Sequence, residues 1–273
     1  MSNVVEYYSG FDEWGRLDRE PLEFIINWHY MKQYLPGSGN VLDNGAGPGK
    51  YSLELAKHGY NVTLADLTPH LVDLAKEKAD ELGLSHKFGG FHVLNATHLA
   101  GLSNEVFDAS LMLGPLYHLQ KEDERIAAVR ELHRVTKNNG VVFVAFQSRM
   151  RMILTSLLFP QFWQPNDNMD SIHRFIEDGI FNHRDKGRFT GAYYYNVEEI
   201  KPFMESHGFE TVDLIGSSNL GALLNDEQKQ YWSERGDKEK WIDLLLKLAR
   251  DPSVLGVSSH LLYIGRKKSS VLP

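Results

Sequence analysis

The chain has 273 residues, 42% hydrophobic and 24% charged, with a formal net charge of −7. That is enough to bury one large core with insertions or two small ones, and it excludes a disordered chain. With no cysteine, disulfides, thiolate metal sites, cysteine nucleophiles and cysteine-held iron–sulfur clusters are excluded together.

The first 39 residues, with Tyr7, Tyr8, Trp14, Arg16 and Arg19, are polar and aromatic and do not read as a signal peptide; they are expected to form a cap segment. Val41-Leu42-Asp43 opens a short apolar run that ends in Gly45-Ala46-Gly47-Pro48-Gly49, and Tyr51 to His58 then reads as a helix. Asn61 to Asp66 is a strand, and Thr68-Pro69 supplies an N-cap and first-turn proline to a helix whose Leu71, Leu74, Ala75 and Leu82 share one face. Phe91 to Leu94 and Phe107 to Leu113 are the next strands. Glu122 to Lys137 is helical, Asn139-Gly140 ends it, and Val141 to Phe146 follows as a strand buried on both faces. Val141 to Phe146 is also the longest apolar run, far short of the roughly 20 residues a membrane span needs. Strands alternating with helices of this length predict βαβ units and a parallel sheet.

The rhythm changes after Ser148. Residues 149–195 hold Phe159, Phe162, Trp163, Phe175, Phe181, Tyr193, Tyr194 and Tyr195 without a clear period, which marks an insertion. Asn196 and Glu199 form a capping box that starts a helix to His207. Phe209 to Ile215 is a strand. A second insertion, 217–256, carries Trp241, Leu244, Leu245 and Leu248 at helical spacing, and Ser259 to Gly265 is the last strand. The basic run Arg266-Lys267-Lys268 reads as a solvated tail. The organisation expected is therefore a cap (1–39), a core (40–148), an insertion (149–195) and a completion of the core (196–273).

Glycines at 45, 47 and 49 let the backbone approach a ligand at a helix start. The dinucleotide pattern Gly-x-Gly-x-x-Gly is broken by Lys50, and Asp43 at the strand mouth would repel a pyrophosphate. A ligand with a cationic amino-acid end suits the turn better. Asp66 closes the second strand, where a carboxylate can accept from both hydroxyls of a ribose. The plainer alternative is that Asp43 and Asp66 only cap turns.

With these residues in place, Val41-Leu42-Asp43-Asn44-Gly45-Ala46-Gly47-Pro48-Gly49 resembles the first motif of the class I S-adenosylmethionine-dependent methyltransferases. Asp66, followed by Leu67, falls where that family places its ribose-binding acid. Asn95-Ala96 resembles its adenine-contacting Asp-Ala pair, with Asn in place of Asp. Phe107 to Leu119, including Leu113, is similar to its fourth-strand motif. The resemblance covers roughly residues 40–148 and 196–216. It implies a Rossmann-like three-layer α/β fold with a seven-stranded, mostly parallel sheet whose last strand is antiparallel. It also implies S-adenosylmethionine as cofactor, held by Asp43, Gly45, Ala46, Gly47, Asp66, Leu67, Asn95, Ala96 and Leu113.

The acceptor is narrowed by exclusion. Base-amine methylation wants Asp/Asn/Ser-Pro-Pro-Tyr/Phe after the fourth strand, and this chain has Gly114-Pro115-Leu116-Tyr117. Pyrimidine carbon methylation needs a cysteine. Metal-assisted catechol-type transfer needs clustered carboxylates, and Asp108 stands at the wrong end of its strand. What remains is metal-independent transfer to oxygen, nitrogen or sulfur of a small molecule or peptide. The acidic balance argues against nucleic acid as partner, and a soluble, cytoplasmic enzyme is expected. His118 and Tyr117, just past the fourth strand, are the candidates for proton chemistry or positioning; at an ordinary imidazole pKa, His118 would titrate near neutrality. Phe159, Trp163, Tyr193 and Tyr194 are the candidate walls of an acceptor lid, and the cap segment is expected to close over the cofactor. Two other readings are a nicotinamide-dependent oxidoreductase on a similar sheet and a non-catalytic nucleoside-binding or scaffold protein.

Overall fold

The computed structural model describes residues 3–10, 14–15, 21–184 and 191–269. Seven strands form the main sheet: β1 (Asn40–Asn44), β2 (Asn61–Asp66), β3 (Phe88–Val93), β4 (Phe107–Met112), β5 (Thr136–Gln147), β8 (Phe209–Gly216) and β9 (His260–Lys267). Between β5 and β8 in the chain, β6 (Ile180–Phe181) and β7 (Ala192–Tyr193) pair with each other as a separate ribbon. The sheet order is β3-β2-β1-β4-β5-β9-β8. β1 pairs parallel with β2 and β4, β2 with β3 and β4 with β5, whereas β9 runs antiparallel to both β5 and β8. This is the Rossmann-like sheet with one reversed strand that the sequence implied.

Strand alternation divides the core into two layers. Val141 and Phe143 of β5 face a layer in which Ile26 and Met31 of the helix Pro21–Tyr34, Leu55 of Lys50–Lys57 and Leu245 of Lys238–Leu248 are buried. Val142, Val144 and Phe146 face the other, against Ala128, Val129 and Leu132 of Glu122–Val135 and Ile200 and Met204 of Val197–Glu205. The capping box at Asn196 is formed in both halves.

Two local readings change. The helix Glu122–Val135 gives way directly to β5 at Thr136, which pairs with Phe107. Asn139 takes a left-handed φ of 62° inside that strand, a conformation asparagine tolerates, so Asn139-Gly140 is an irregularity in the strand and not a helix terminator. The basic run is also not a free tail: Lys267 is buried, and its ammonium donates to Glu105 Oε1 and to the Thr136 carbonyl, each at 2.9 Å.

Within 149–195, helices Arg149–Leu158 and Met169–Asp178 and the β6–β7 ribbon enclose a small core of their own around Met152, Phe175, Phe181 and Tyr194.

Candidate active site

A cleft of about 590 Å³ opens at the carboxyl ends of β1, β2, β4 and β5, next to the reversal of strand order between β1 and β4 where open α/β sheets bind ligands. Its floor is the turn after β1. Gly45, Gly47 and Gly49 have φ of 73°, 56° and 82°, all left-handed. The tightest is Gly45, where a Cβ would sit 2.1 Å from Pro115 Cγ; no side chain fits, and the main chain itself forms the wall. The Gly45 and Ala46 amides are tied to the Ala65 carbonyl at 2.7 and 3.1 Å, which fixes the turn against β2.

Asp66 is held by its neighbours. Gly47 N donates to Oδ2 and Thr68 N to Oδ1, both at 2.8 Å. These amide bonds hold the carboxylate in one orientation at the cleft, where its remaining lone-pair capacity can accept a further donor. Burial raises its pKa, opposed by those amide bonds. Asp43 is more enclosed: it accepts from Ser52 Oγ at 2.7 Å, and burial pushes its carboxyl up to about 6. Beside it, Asn44 is 1% exposed and both its side-chain polar atoms lack a hydrogen-bond partner among the described residues. A buried polar group without a partner is costly, and this one lines the cleft. Leu67, Ala96 and Leu113 also line it. Asn95 does too, but its Oδ1 already accepts from the Thr97 amide and hydroxyl, each at 3.0 Å, closing a turn.

Tyr117 and His118 sit on the short helix Pro115–His118 in the cleft wall. His118 is half-buried, with Nε2 3.1 Å from the Tyr8 hydroxyl. Desolvation, and then the nearby His260, push its pKa down to about 3. It is therefore a neutral imidazole at physiological pH and a weak base, and it does not titrate near neutrality as its residue type alone suggested. From the cap segment, Tyr7 and Tyr8 line the cleft, and the Lys50 ammonium lies 4.6 Å from the centre of the Trp14 ring. Arg16 and Arg19 lie outside the described residues.

The aromatic residues of the insertion are placed differently from expectation. Phe159, Trp163, Tyr193 and Tyr194 are not among the residues lining this cleft. Phe159 is 47% exposed, Trp163 packs on Phe181 and His183, and Tyr194 is in the insertion's own core. Tyr193 carries the Arg125 guanidinium 3.6 Å above its ring. Trp163 and Tyr194 thus share the Phe181 ring and Tyr193 packs on Tyr195, as large aromatic surfaces do wherever they cluster. Glu23, Gln147 and His260, residues with no motif around them, do line the cleft. Among the described residues, no three His, Asp or Glu side chains converge as a metal site.

Residues 42–144 match the family described as "Methyltransferase domain". A glycine/sarcosine/dimethylglycine N-methyltransferase of Actinopolyspora halophila is 25% identical over 77% of this chain, which spans 39% of that relative's length. A ubiquinone/menaquinone biosynthesis C-methyltransferase of Zymomonas mobilis is 27% identical over 68% of this chain and 73% of its own. Among solved structures, a SAM-dependent methyltransferase of Methanosarcina mazei superposes with a TM-score of 0.61 at 22% identity, covering 88% of this chain and 97% of that one.

Residues 42–144 carry a methyltransferase domain, on a sheet like that of solved S-adenosylmethionine-dependent methyltransferases. In this methyltransferase the cleft fits the family's cofactor, S-adenosylmethionine. Among the described residues, Asp43, Asp66, Glu23 and Glu124 line the cleft against one lysine, Lys50, which suits a ligand carrying a sulfonium and an ammonium. Asp66 turns a carboxylate held by two amides to the cleft, and Asn44 offers a buried amide with no partner among the described residues. Neither the nicotinamide reading nor the scaffold reading gains support from these likenesses.

Proposed function

We propose that this chain transfers the methyl group of S-adenosylmethionine, without a metal, to oxygen, nitrogen or sulfur of a small molecule or peptide in the cytoplasm. The observation that carries the reading is the doubly clamped Asp66 facing a left-handed glycine turn too tight at Gly45 for any Cβ, in a cleft lined, among the described residues, by four carboxylates and one lysine. The sulfonium supplies an already activated methyl. What the protein adds is position and exclusion of water: Asp66 and the Gly45–Gly47 turn hold the nucleoside and amino-acid ends, and Tyr8, Tyr117 and His118 roof the space beside them. With Tyr8 against its Nε2, neutral His118 orients the roof and carries no charge into it.

The acceptor is not given by likeness, since one relative is named for nitrogen and another for carbon methylation. Among the described residues no helix is long and apolar enough to cross a membrane. A screen of metabolite and peptide pools for release of S-adenosylhomocysteine tests the activity. Turnover that survives EDTA is expected; loss in EDTA with recovery in Mg²⁺ would contradict metal independence, and no turnover with any pool would contradict the activity.

A further inference from the structure

The wall of the cleft beside Asp66 is a loop with little regular structure. Leu94, Asn95, Ala96 and Thr97, which follow β3, line the cleft, and the Leu94 amide donates to the Asp66 carbonyl at 2.9 Å. Asn95 Oδ1 accepts from Thr97 and the Asn95 carbonyl from the His98 amide, so the hydrogen bonds of Asn95 turn the loop onto itself. The loop is tied to the rest of the fold further along, behind the cleft. Leu99 is buried in a core with Leu42, Ala65, Phe107 and Val135. Its amide donates to Glu131 Oε2 at 2.7 Å. Arg134, three residues on in the helix Glu122–Val135, donates to both Glu131 oxygens, at 2.7 and 2.8 Å. The same guanidinium donates to the Leu99 and Leu102 carbonyls, at 3.1 and 2.7 Å, and to Asn104 Oδ1 at 2.8 Å. Neither Glu131 nor Arg134 lines the cleft. We infer that Glu131 and Arg134 are positioning residues of the cofactor site, a clamp behind the loop that sets the wall on which the cofactor's base rests; this rests on the transferase reading above.

A guanidinium presents its N–H donors in a rigid planar fork. Here the fork meets a carboxylate on one side and two carbonyls of one loop on the other, so helix, carboxylate and loop fit together in one arrangement. The contacts are charge-assisted: Arg134 holds the Glu131 carboxyl below the usual carboxylate range, and Glu131 raises Arg134 in turn. A lysine brings a point charge on a flexible stem and cannot span the fork.

On the proposed function Asp66 holds the ribose, and the base joined to that ribose needs apolar faces close to Asp66. Leu94 and Ala96 offer them from the loop and Leu67 from the segment after β2. Their place depends on where Leu99 is anchored, and the clamp fixes Leu99 at both its amide and its carbonyl. A pair that served stability alone would hold the helix to the loop and leave the loop indifferent to ligand.

The test compares the full chain with Arg134→Lys, each free and saturated with S-adenosylhomocysteine, by amide hydrogen exchange read by NMR and by calorimetric titration. A loop that keeps its bound arrangement about one-tenth of the time lowers apparent affinity about tenfold. In the free variant the Leu99 and Leu102 amides should exchange about tenfold faster than in the wild type, while the Gly45 amide, bonded to the Ala65 carbonyl, keeps its rate. S-adenosylhomocysteine should bind about tenfold more weakly, and saturation should return both loop amides to wild-type protection. Wild-type affinity in the folded variant, loop amides no faster than wild type, or loop amides that stay fast with ligand bound would overturn the inference. If Arg134→Lys does not fold, Glu131→Gln, of the same size and without the charge, takes its place in both measurements. Failure of S-adenosylhomocysteine to bind the wild-type chain would instead sink the transferase reading.

Discussion

Asp66 is tied to the Gly47 and Thr68 amides and, on the proposed function, also holds the ribose; replacing it separates the two. In Asp66→Ala the Gly47 and Thr68 amides lose acceptors at 2.8 Å each. Both lie at the cleft wall, where water can reach them, so the stability loss should stay near the low end of the range for an unsatisfied donor, about 1 kcal/mol for each. For a chain of this size that corresponds to a fall in Tm of roughly 4–8 °C. The second loss is in binding. A hydrogen bond from a ribose hydroxyl to a carboxylate contributes about 1.5–3 kcal/mol, so removing the carboxylate should weaken S-adenosylhomocysteine by roughly 10- to 150-fold. Calorimetric titration of the variant, with circular dichroism to confirm the fold, measures the second effect apart from the first. A folded Asp66→Ala protein with wild-type affinity would refute the ribose assignment; Asp66 would then only clamp the glycine turn.

Asp43 predicts a pH dependence. Its folded carboxyl sits at about 6 against an ordinary 3.8, so the ligand-free protein is protonated there below about pH 6. If the ionised form meets a cationic ligand end, S-adenosylhomocysteine affinity should be flat above 6 and fall by up to about tenfold per pH unit below it. Asp43→Asn should weaken binding and remove that slope; calorimetry at pH 5 and 7.5 reads both. Gly45→Ala forces a left-handed alanine and puts its Cβ onto Pro115, and should lower Tm by roughly 5 °C or more while abolishing detectable cofactor binding; a normal melting curve with intact affinity would contradict the close packing of the turn. His118, already neutral down to about pH 3, should leave no inflection between pH 5 and 8 in the pH–rate profile; an acidic limb there that vanishes in His118→Ala would show a far more basic ring.

What was legible in the sequence was what local pattern encodes. Asp43, the Gly45–Gly49 turn and Asp66 lie within 24 residues and fall at the ends of β1 and β2, so strand period and turn chemistry place them without tertiary knowledge. The capping box at Asn196 is likewise local. Lys267 was misread because an isolated basic run looks the same whether solvated or buried, and only the β8–β9 pairing brings it to Glu105 and Thr136. Asn139-Gly140 was misread because Asn-Gly ends helices and also serves bulges. The cleft wall at β5 and β9 was the least legible. Phe159, Trp163, Tyr193 and Tyr194 have no period to say which face they cover: Trp163 and Tyr194 pack on Phe181, Tyr193 on Tyr195, and Phe159 is exposed. Glu23, Gln147 and His260 carry no motif, and their meeting depends on β9 inserting next to β5 and a helix from before β1 lying across both.

The central claim is that the cleft at the ends of β1, β2 and β4 is an S-adenosylmethionine site. Titrating the wild-type chain calorimetrically with S-adenosylhomocysteine, and with NAD under the same conditions, tests it most directly. The account predicts saturable binding of one S-adenosylhomocysteine per chain and no measurable heat with NAD. Binding of NAD in preference, or of neither ligand to a folded chain, would contradict it.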